Sequence, residues 1–161
     1  MIALEASVCI DAPAERVWRW LADLEAIPLW SAAVLTARCP HERTGIGAER
    51  VCELRGGVVL RERWLQWDDG HSFTYEGLGI PLVRRATNRW TVTPSGDQTL
   101  LSSSAIVELK GGPVVRLLEP AFLRFARRTA AQSLGPLKFL IEHDRPFDRT
   151  RDMLGPLAAV C

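Results

Sequence analysis

Val58-Val59-Leu60-Arg61-Glu62-Arg63-Trp64-Leu65-Gln66-Trp67-Asp68-Asp69-Gly70-His71-Ser72-Phe73-Thr74-Tyr75-Glu76 is the stretch that decides the fold. Two β-rich runs, 58–67 and 71–76, flank Asp69-Gly70, a pair that supplies the positive φ a tight hairpin turn demands. The pattern repeats on both sides. Upstream, Val34 to Cys39 and Ala48 to Leu54 are strand runs separated by Thr44-Gly45-Ile46-Gly47, and Arg55-Gly56-Gly57 turns the second of them into 58–67. Downstream, Gly77-Leu78-Gly79-Ile80-Pro81 leads to Ala86 to Thr93, and Pro94-Ser95-Gly96-Asp97 leads to Thr99 to Leu109. Consecutive hairpins predict an antiparallel meander.

The flanks complete the order. Ile2 to Ile10 reads as a strand, closed by Asp11-Ala12-Pro13, a short polar residue and a proline at the start of an apolar-periodic run. Val17, Trp20, Leu21 and Leu24 give the following helix one buried stripe, and Pro28 ends the pattern in a second short helix or turn over 26–30. After Gly111-Gly112-Pro113 the period stays helical to about Glu142, with Val114, Leu117, Leu118, Phe122, Phe125, Thr129, Leu134, Leu137 and Leu140 among its apolar stripe. Pro120 and Gly135-Pro136 are expected to kink or interrupt it. The tail, 143–161, shows no period and is expected to be mobile or loosely docked. The expectation is therefore one α+β domain over 1–142, with a curved antiparallel sheet wrapped around the long C-terminal helix, which alone is large enough to cover the sheet's apolar face. Such a helix-grip arrangement leaves space between sheet and helix, where small-molecule sites form.

Composition narrows the classes. A chain of 161 residues can bury roughly 70% of its unfolded surface in one core. The hydrophobic share of 47% and charged share of 24% suit a globular domain, not a disordered chain or a membrane protein. A formal charge of +1 provides no global field for nucleic acid. Arg116, Arg124, Arg127 and Arg128 cluster late in the chain, as a solvated helix face or a surface for an acidic partner. No apolar run reaches the length of a membrane span, and Met1 runs directly into the first strand without an export signal, so a cytoplasmic location is expected. Cys9, Cys39, Cys52 and Cys161 contain no C-x-x-C pair and read as reduced, mostly buried thiols. His41, His71 and His143 lack metal-ligand spacing, so neither metal nor cofactor is expected.

Several segments carry a resemblance. They are Ile10-Asp11-Ala12-Pro13-Ala14-Glu15-Arg16-Val17-Trp18, Pro28-Leu29-Trp30, Gly45-Ile46-Gly47, Glu62-Arg63-Trp64-Leu65-Gln66-Trp67-Asp68, Asn88-Arg89-Trp90-Thr91-Val92-Thr93 and Leu137-Lys138-Phe139-Leu140-Ile141-Glu142. In this order the chain resembles the START/Bet v 1-like (SRPBCC) superfamily, and within it the bacterial polyketide cyclase/dehydrase-like proteins, over residues 2–142. The resemblance implies the helix-grip fold and an internal cavity. It leaves open which of the superfamily's activities applies, since carriers of lipids, sterols and hormones, aromatase/cyclases, hydrolases and chaperone-activating domains share the fold.

The residues themselves offer candidates for such a cavity. Glu62 lies mid-strand on one face with Leu60, Trp64 and Gln66. Buried without a cation it would serve as a general acid or base; the alternative is an ion pair across the sheet with Arg50 or Arg89. Tyr75, the only tyrosine, shares a face with Phe73, and its phenol could donate to a carbonyl or merely wet its hydroxyl. Asn88 and Trp90 share a face on the next strand, as do Leu101 and Ser103 on the last. Trp30, Trp64 and Trp90 are candidates for the cavity wall, with structural core as the alternative, and Phe122 and Phe125 would face it from the helix. Gly45-x-Gly47 lacks the strand-to-helix context of a phosphate cradle and reads as a turn.

Three functions fit. The first is binding or carriage of a hydrophobic or aromatic small molecule by a monomer or homodimer. The second is a cofactor-independent polyketide cyclase, aromatase or dehydratase using Glu62 and Tyr75. The third is a protein-interaction module with an exposed arginine face.

Overall fold

The structure, a computed structural model, describes residues 1–111 and 119–161, leaving aside the side chains of residues 119, 121, 122, 125–127, 130 and 131. A strand β1 (Ile2–Ile10) is followed by helix α1 (Ala14–Ala22) and a 3-10 helix η1 (Leu24–Leu29). Six strands come next: β2 (Val34–Arg38), β3 (Glu49–Leu54), β4 (Val59–Asp68), β5 (Ser72–Leu78), β6 (Val83–Ser95) and β7 (Gln98–Leu109). Helix α2 (Glu119–His143) closes the order. The strands form one antiparallel sheet in the order β1-β7-β6-β5-β4-β3-β2. Every neighbour from β2 to β7 is thus a sequence neighbour, the meander expected from the hairpin turns, and β1 adds to its far edge. The architecture is the helix-grip fold of the START/Bet v 1-like superfamily.

The turns explain the register. Gly56 and Gly57 both take positive φ between β3 and β4. Gly79 after β5 has φ +91° and approaches the Val59 carbonyl so closely that a Cβ would sit 2.7 Å from its oxygen, so the chain needs glycine there. Because antiparallel pairing sets side chains opposite one another, Trp64, Tyr75, Asn88 and Ala105 fall in one row across β4 to β7. Trp67, Phe73, Trp90, Ser103 and Ala6 fall in the next.

Helix α2 fills the concave side. Leu137, Leu140 and Ile141 are fully buried and join Val8, Ile10, Val17 and Leu21 in one core. At about 25 cal/mol per Å², each such side chain contributes about 1.5–3 kcal/mol. Helix α1 buries Val17, Trp18 and Leu21, whereas Trp20, expected on its buried stripe, is half-buried. Trp18 instead turns inward, its indole N–H donating to Asp69 Oδ1 at 3.1 Å and tying α1 to the β4–β5 turn.

Two expectations are corrected, the interruption of α2 and the four reduced cysteines, and the tail gains a defined path. Helix α2 is not interrupted at Gly135-Pro136. The helix tolerates the lost backbone bond because the flanking Leu134 and Leu137 are locked into the core. The expected start of this helix at 114–118 lies outside the described residues. The tail is docked: the Cys9 N–H donates to the Ala158 carbonyl at 2.7 Å, and Leu154 lies over Gly135, whose lack of a Cβ makes the room. Asp152 accepts two bonds from Arg145, at 2.7 and 2.8 Å, which fold the tail back. Finally, Cys9 and Cys161 are joined as a disulfide with Cα atoms 5.1 Å apart, while Cys39 and Cys52 are free thiols. The tail thus meets the end of β1 at Cys9.

Candidate functional site

Between the concave face and α2 lies a cavity of about 280 Å³, near the lower end of the roughly 300–1,000 Å³ usual for small-molecule sites. Strands supply Ala6, Leu60, Tyr75, Asn88, Trp90 and Ser103. The segment after α1 contributes Ile27, Trp30, Ser31 and Ala33, strands β2 and β3 contribute Val34 and Leu54, and α2 contributes Thr129, Ser133 and Leu134. Among the described lining residues there is no Asp, Glu, His, Lys or Arg. The described wall is apolar with a few hydroxyls, one amide, one phenol and two indoles.

The polar groups are connected. The Ser103 hydroxyl donates to Asn88 Oδ1 at 2.9 Å, and Asn88 Nδ2 donates to the Tyr75 hydroxyl oxygen at 3.2 Å. Adjacent strands make this possible, because Tyr75 and Asn88 are direct cross-strand partners and Ser103 stands opposite Trp90 one row along. Burial, with the charge of Glu62 behind it, pushes the Tyr75 phenol up to about 12, although Arg50 and hydrogen bonds from Asn88 and Trp90 pull the other way. The phenol therefore carries its proton at neutral pH and is a donor. The Ser31 hydroxyl, just after η1, and the Ser133 hydroxyl on α2 lie 3.5 Å apart. The Trp30 indole N–H, on a buried residue of the wall, has no hydrogen-bond partner among the described residues.

Glu62 takes the ion-paired alternative. Its Oε2 accepts from both Nε and Nη2 of Arg50 at 2.6 Å, and Arg50 Nη1 donates to the Leu24 carbonyl at 2.8 Å. The guanidinium also lies 5.1 Å from the centre of the Trp64 ring. Burial pulls against its charge, but Glu62 more than offsets this and holds the Arg50 pKa above its ordinary value. The Cys52 thiol, buried beside this carboxylate, is pushed up to about 12, which leaves it protonated and unreactive. Arg89 bonds elsewhere, to the Ser72 hydroxyl at 3.2 Å.

The structure thus brings Trp30, Tyr75, Asn88, Trp90 and Ser103 together on the cavity. Glu62, Trp64, Phe73 and Leu101 share the concave face but lie outside the described lining. Trp64 and Phe73 are taken up by an aromatic cluster, with ring centres 5.7 Å apart and Trp67 stacked on Phe73 at 5.4 Å. Leu101 is wholly buried in the core beside Val8 and Val92. Phe122 and Phe125 lie on α2, but their side chains fall outside the described residues. Sequence reasoning missed Ser31 and Ser133 as wall residues. Ser133 follows Thr129 by four positions and so shares its helix face, the one signal that could have found it.

Solved structures share this architecture. A protein from Thermobifida fusca is 24% identical with a TM-score of 0.71, over 88% of this chain and 93% of that one. A START superfamily protein from Mycobacterium smegmatis is 19% identical with a TM-score of 0.62, over 80% and 93%. Norcoclaurine synthase from Thalictrum flavum, solved with dopamine and hydroxybenzaldehyde, is 18% identical with a TM-score of 0.66, over 88% and 87%. No curated protein matches the sequence. At these identities the structural likenesses speak to the fold. The sequence itself matches, across residues 1–142, the profile described as polyketide cyclase / dehydrase and lipid transport, and the chain belongs to that family.

Proposed function

We propose that this protein binds a small, largely apolar molecule in the cavity between its sheet and α2, as a binding or carrier protein. The observation that carries this reading is a 280 Å³ apolar cavity whose described lining holds no acid or base that titrates near neutrality. At about 30 Å³ per water-sized group it has room for roughly nine such groups, which favours one- and two-ring compounds over sterols or long acyl chains. The two tryptophans of the wall, Trp30 and Trp90, offer flat surface for such rings, with their own ring centres 6.2 Å apart. A filled core would have favoured the interaction module; the cavity speaks against it.

A second reading, the cofactor-independent cyclase or dehydratase, is favoured by Tyr75 alone, whose protonated phenol at the wall could stabilise an enolate. It lacks a partner base, because Glu62 is bound by Arg50. Native mass spectrometry of freshly purified protein, followed by denaturing extraction, tests the binding reading. A stoichiometric apolar molecule of one or two rings is the expected result. An empty protein that also shows no thermal shift with a panel of such compounds would overturn it, and turnover of a poly-β-ketone lost in Tyr75→Phe would establish the second reading.

A further inference from the structure

We infer that residues 153–161 form a redox-released strap: the Cys9–Cys161 disulfide ties them across the C-terminal part of α2, and a dithiol that reduces it frees them about a hinge at Asp152–Met153. This is independent of what the cavity binds. Two unlike halves of the tail lead to it. Residues 143–152 are held by charge. Asp152 accepts two bonds from Arg145 and a third from the Asp148 backbone N–H at 2.9 Å. Asp148 in turn accepts from Arg151 at 2.9 Å and from the Thr150 hydroxyl at 2.7 Å. None of these contacts involves a thiol.

The strap itself is held differently. Met153-Leu154-Gly155-Pro156-Leu157-Ala158-Ala159-Val160-Cys161 contains no charged residue, and every one of its residues is exposed. Met153 and Val160 are 91% and 75% exposed, and only Leu154 and Leu157, at 43% and 38%, cover much of their surface. Apolar side chains hold a segment by the area they remove from water, and here that area is set against the conformational freedom of the whole ordered strap. Among the described residues the strap makes one hydrogen bond, from the Cys9 N–H to the Ala158 carbonyl at 2.7 Å. The disulfide at its end is therefore what keeps it in place. Between strap and helix lies a groove of about 140 Å³ whose α2 side is Gly135, Lys138, Phe139, Glu142 and His143. Release uncovers this face.

The chemistry of release follows from access. Cys161 is exposed whereas Cys9 is buried, so an incoming thiolate meets the Cys161 sulfur first. Its attack forms a mixed disulfide with Cys161 and expels Cys9 as a thiolate, which takes up a proton. The second thiol of the dithiol then attacks the reagent sulfur bonded to Cys161, closing the reagent into a cyclic disulfide and leaving Cys161 as a thiol. The protein gains two electrons and two protons, and the dithiol loses both. The rest of the fold keeps its own ties, because Lys138 Nζ donates to the Cys9 carbonyl at 2.8 Å and Glu142 Oε1 accepts from the Asp11 N–H at 2.7 Å. These bonds hold α2 on β1 without the strap.

The Cys9 amide is a single-residue reporter, since its N–H is bonded to the strap. Amide hydrogen exchange and backbone relaxation are measured by NMR on the full chain, oxidised and then reduced with dithiothreitol. On reduction, Cys9 exchange is expected to rise at least about tenfold, and residues 153–161 to gain fast local motion. The Asp152 amide, bonded to the Asp148 carbonyl at 2.8 Å, should exchange as before. Cys161→Ser without reductant, first checked for a native melting curve, should behave as the reduced protein does. Unchanged Cys9 exchange after complete reduction would show that the strap docks without its link, and overturns the inference. Loss of order reaching back through Asp148 overturns the hinge, and a link that dithiothreitol leaves intact in the folded protein overturns the release.

Discussion

Arg50 and Glu62 face one another across β3 and β4 as direct register partners, each 4% exposed, with Nε and Nη2 of the guanidinium both 2.6 Å from one carboxylate oxygen. A pair this deep is a commitment: neither group is available to the cavity, and neither tolerates the loss of the other. Glu62→Gln leaves a buried guanidinium without its counter-charge and is expected to lower stability by about 3–5 kcal/mol, read from the midpoint of a denaturant melt. Replacing both, as Arg50→Met with Glu62→Leu, should cost less than either single change. A double variant as unstable as the sum of the singles would show that the two groups do not act as a pair.

The alkaline limb of stability follows from Tyr75 and Cys52. Both are raised to about 12 in the folded chain, from ordinary values near 10 and 9. Below pH 9 both are protonated in folded and unfolded chains alike, and their contribution is fully present. Between pH 9 and 12 the unfolded chain releases these protons first, so it binds fewer than the folded chain and stability falls as pH rises. Ultraviolet titration of Tyr75, the only tyrosine, should give a phenol midpoint near 12 in the folded protein. A midpoint near 10 would place the phenol in open water.

Oxidised protein should show two titratable thiols, Cys39 and Cys52, after denaturation, and four after reduction. Cutting the Cys9–Cys161 link, by reductant or by Cys161→Ser, frees two positions 152 residues apart and is expected to cost roughly 2–5 kcal/mol. Four thiols in protein denatured without reductant would contradict the link.

Gly79→Ala places a Cβ against the Val59 carbonyl at a backbone angle that side chains rarely adopt. A loss of about 1–3 kcal/mol is expected, measured as a fall in melting temperature. No change would mean that the β5–β6 connection relaxes freely.

What was legible in the sequence was order and face. Asp69-Gly70, Gly56-Gly57 and Pro13 announce turns and a helix entrance through local backbone chemistry, which needs no knowledge of the rest of the chain. Alternation then assigns Glu62, Trp64, Phe73 and Tyr75 to the concave face. It does not say which residues stand over the cavity and which are packed away, because that depends on where η1 and α2 come down on the sheet. Tyr75 and Trp64 differ only in this respect. The polar chain from Ser103 through Asn88 to Tyr75 joins three strands and is visible only once the register is known. The Cys9–Cys161 link was missed because it depends on the path of a tail with no periodicity, which hides its docking at the end of β1.

The central claim is that the cavity itself receives an apolar molecule, and calorimetric titration of indan-1-one into wild-type protein and into Ala6→Phe tests it most directly. Ala6 lines the cavity from β1, and a phenyl ring there occupies the space the ligand needs. Saturable one-site binding by the wild type, weakened at least about tenfold in a folded Ala6→Phe, is the expected result. Equal affinity for the two proteins would place the ligand elsewhere and contradict the account.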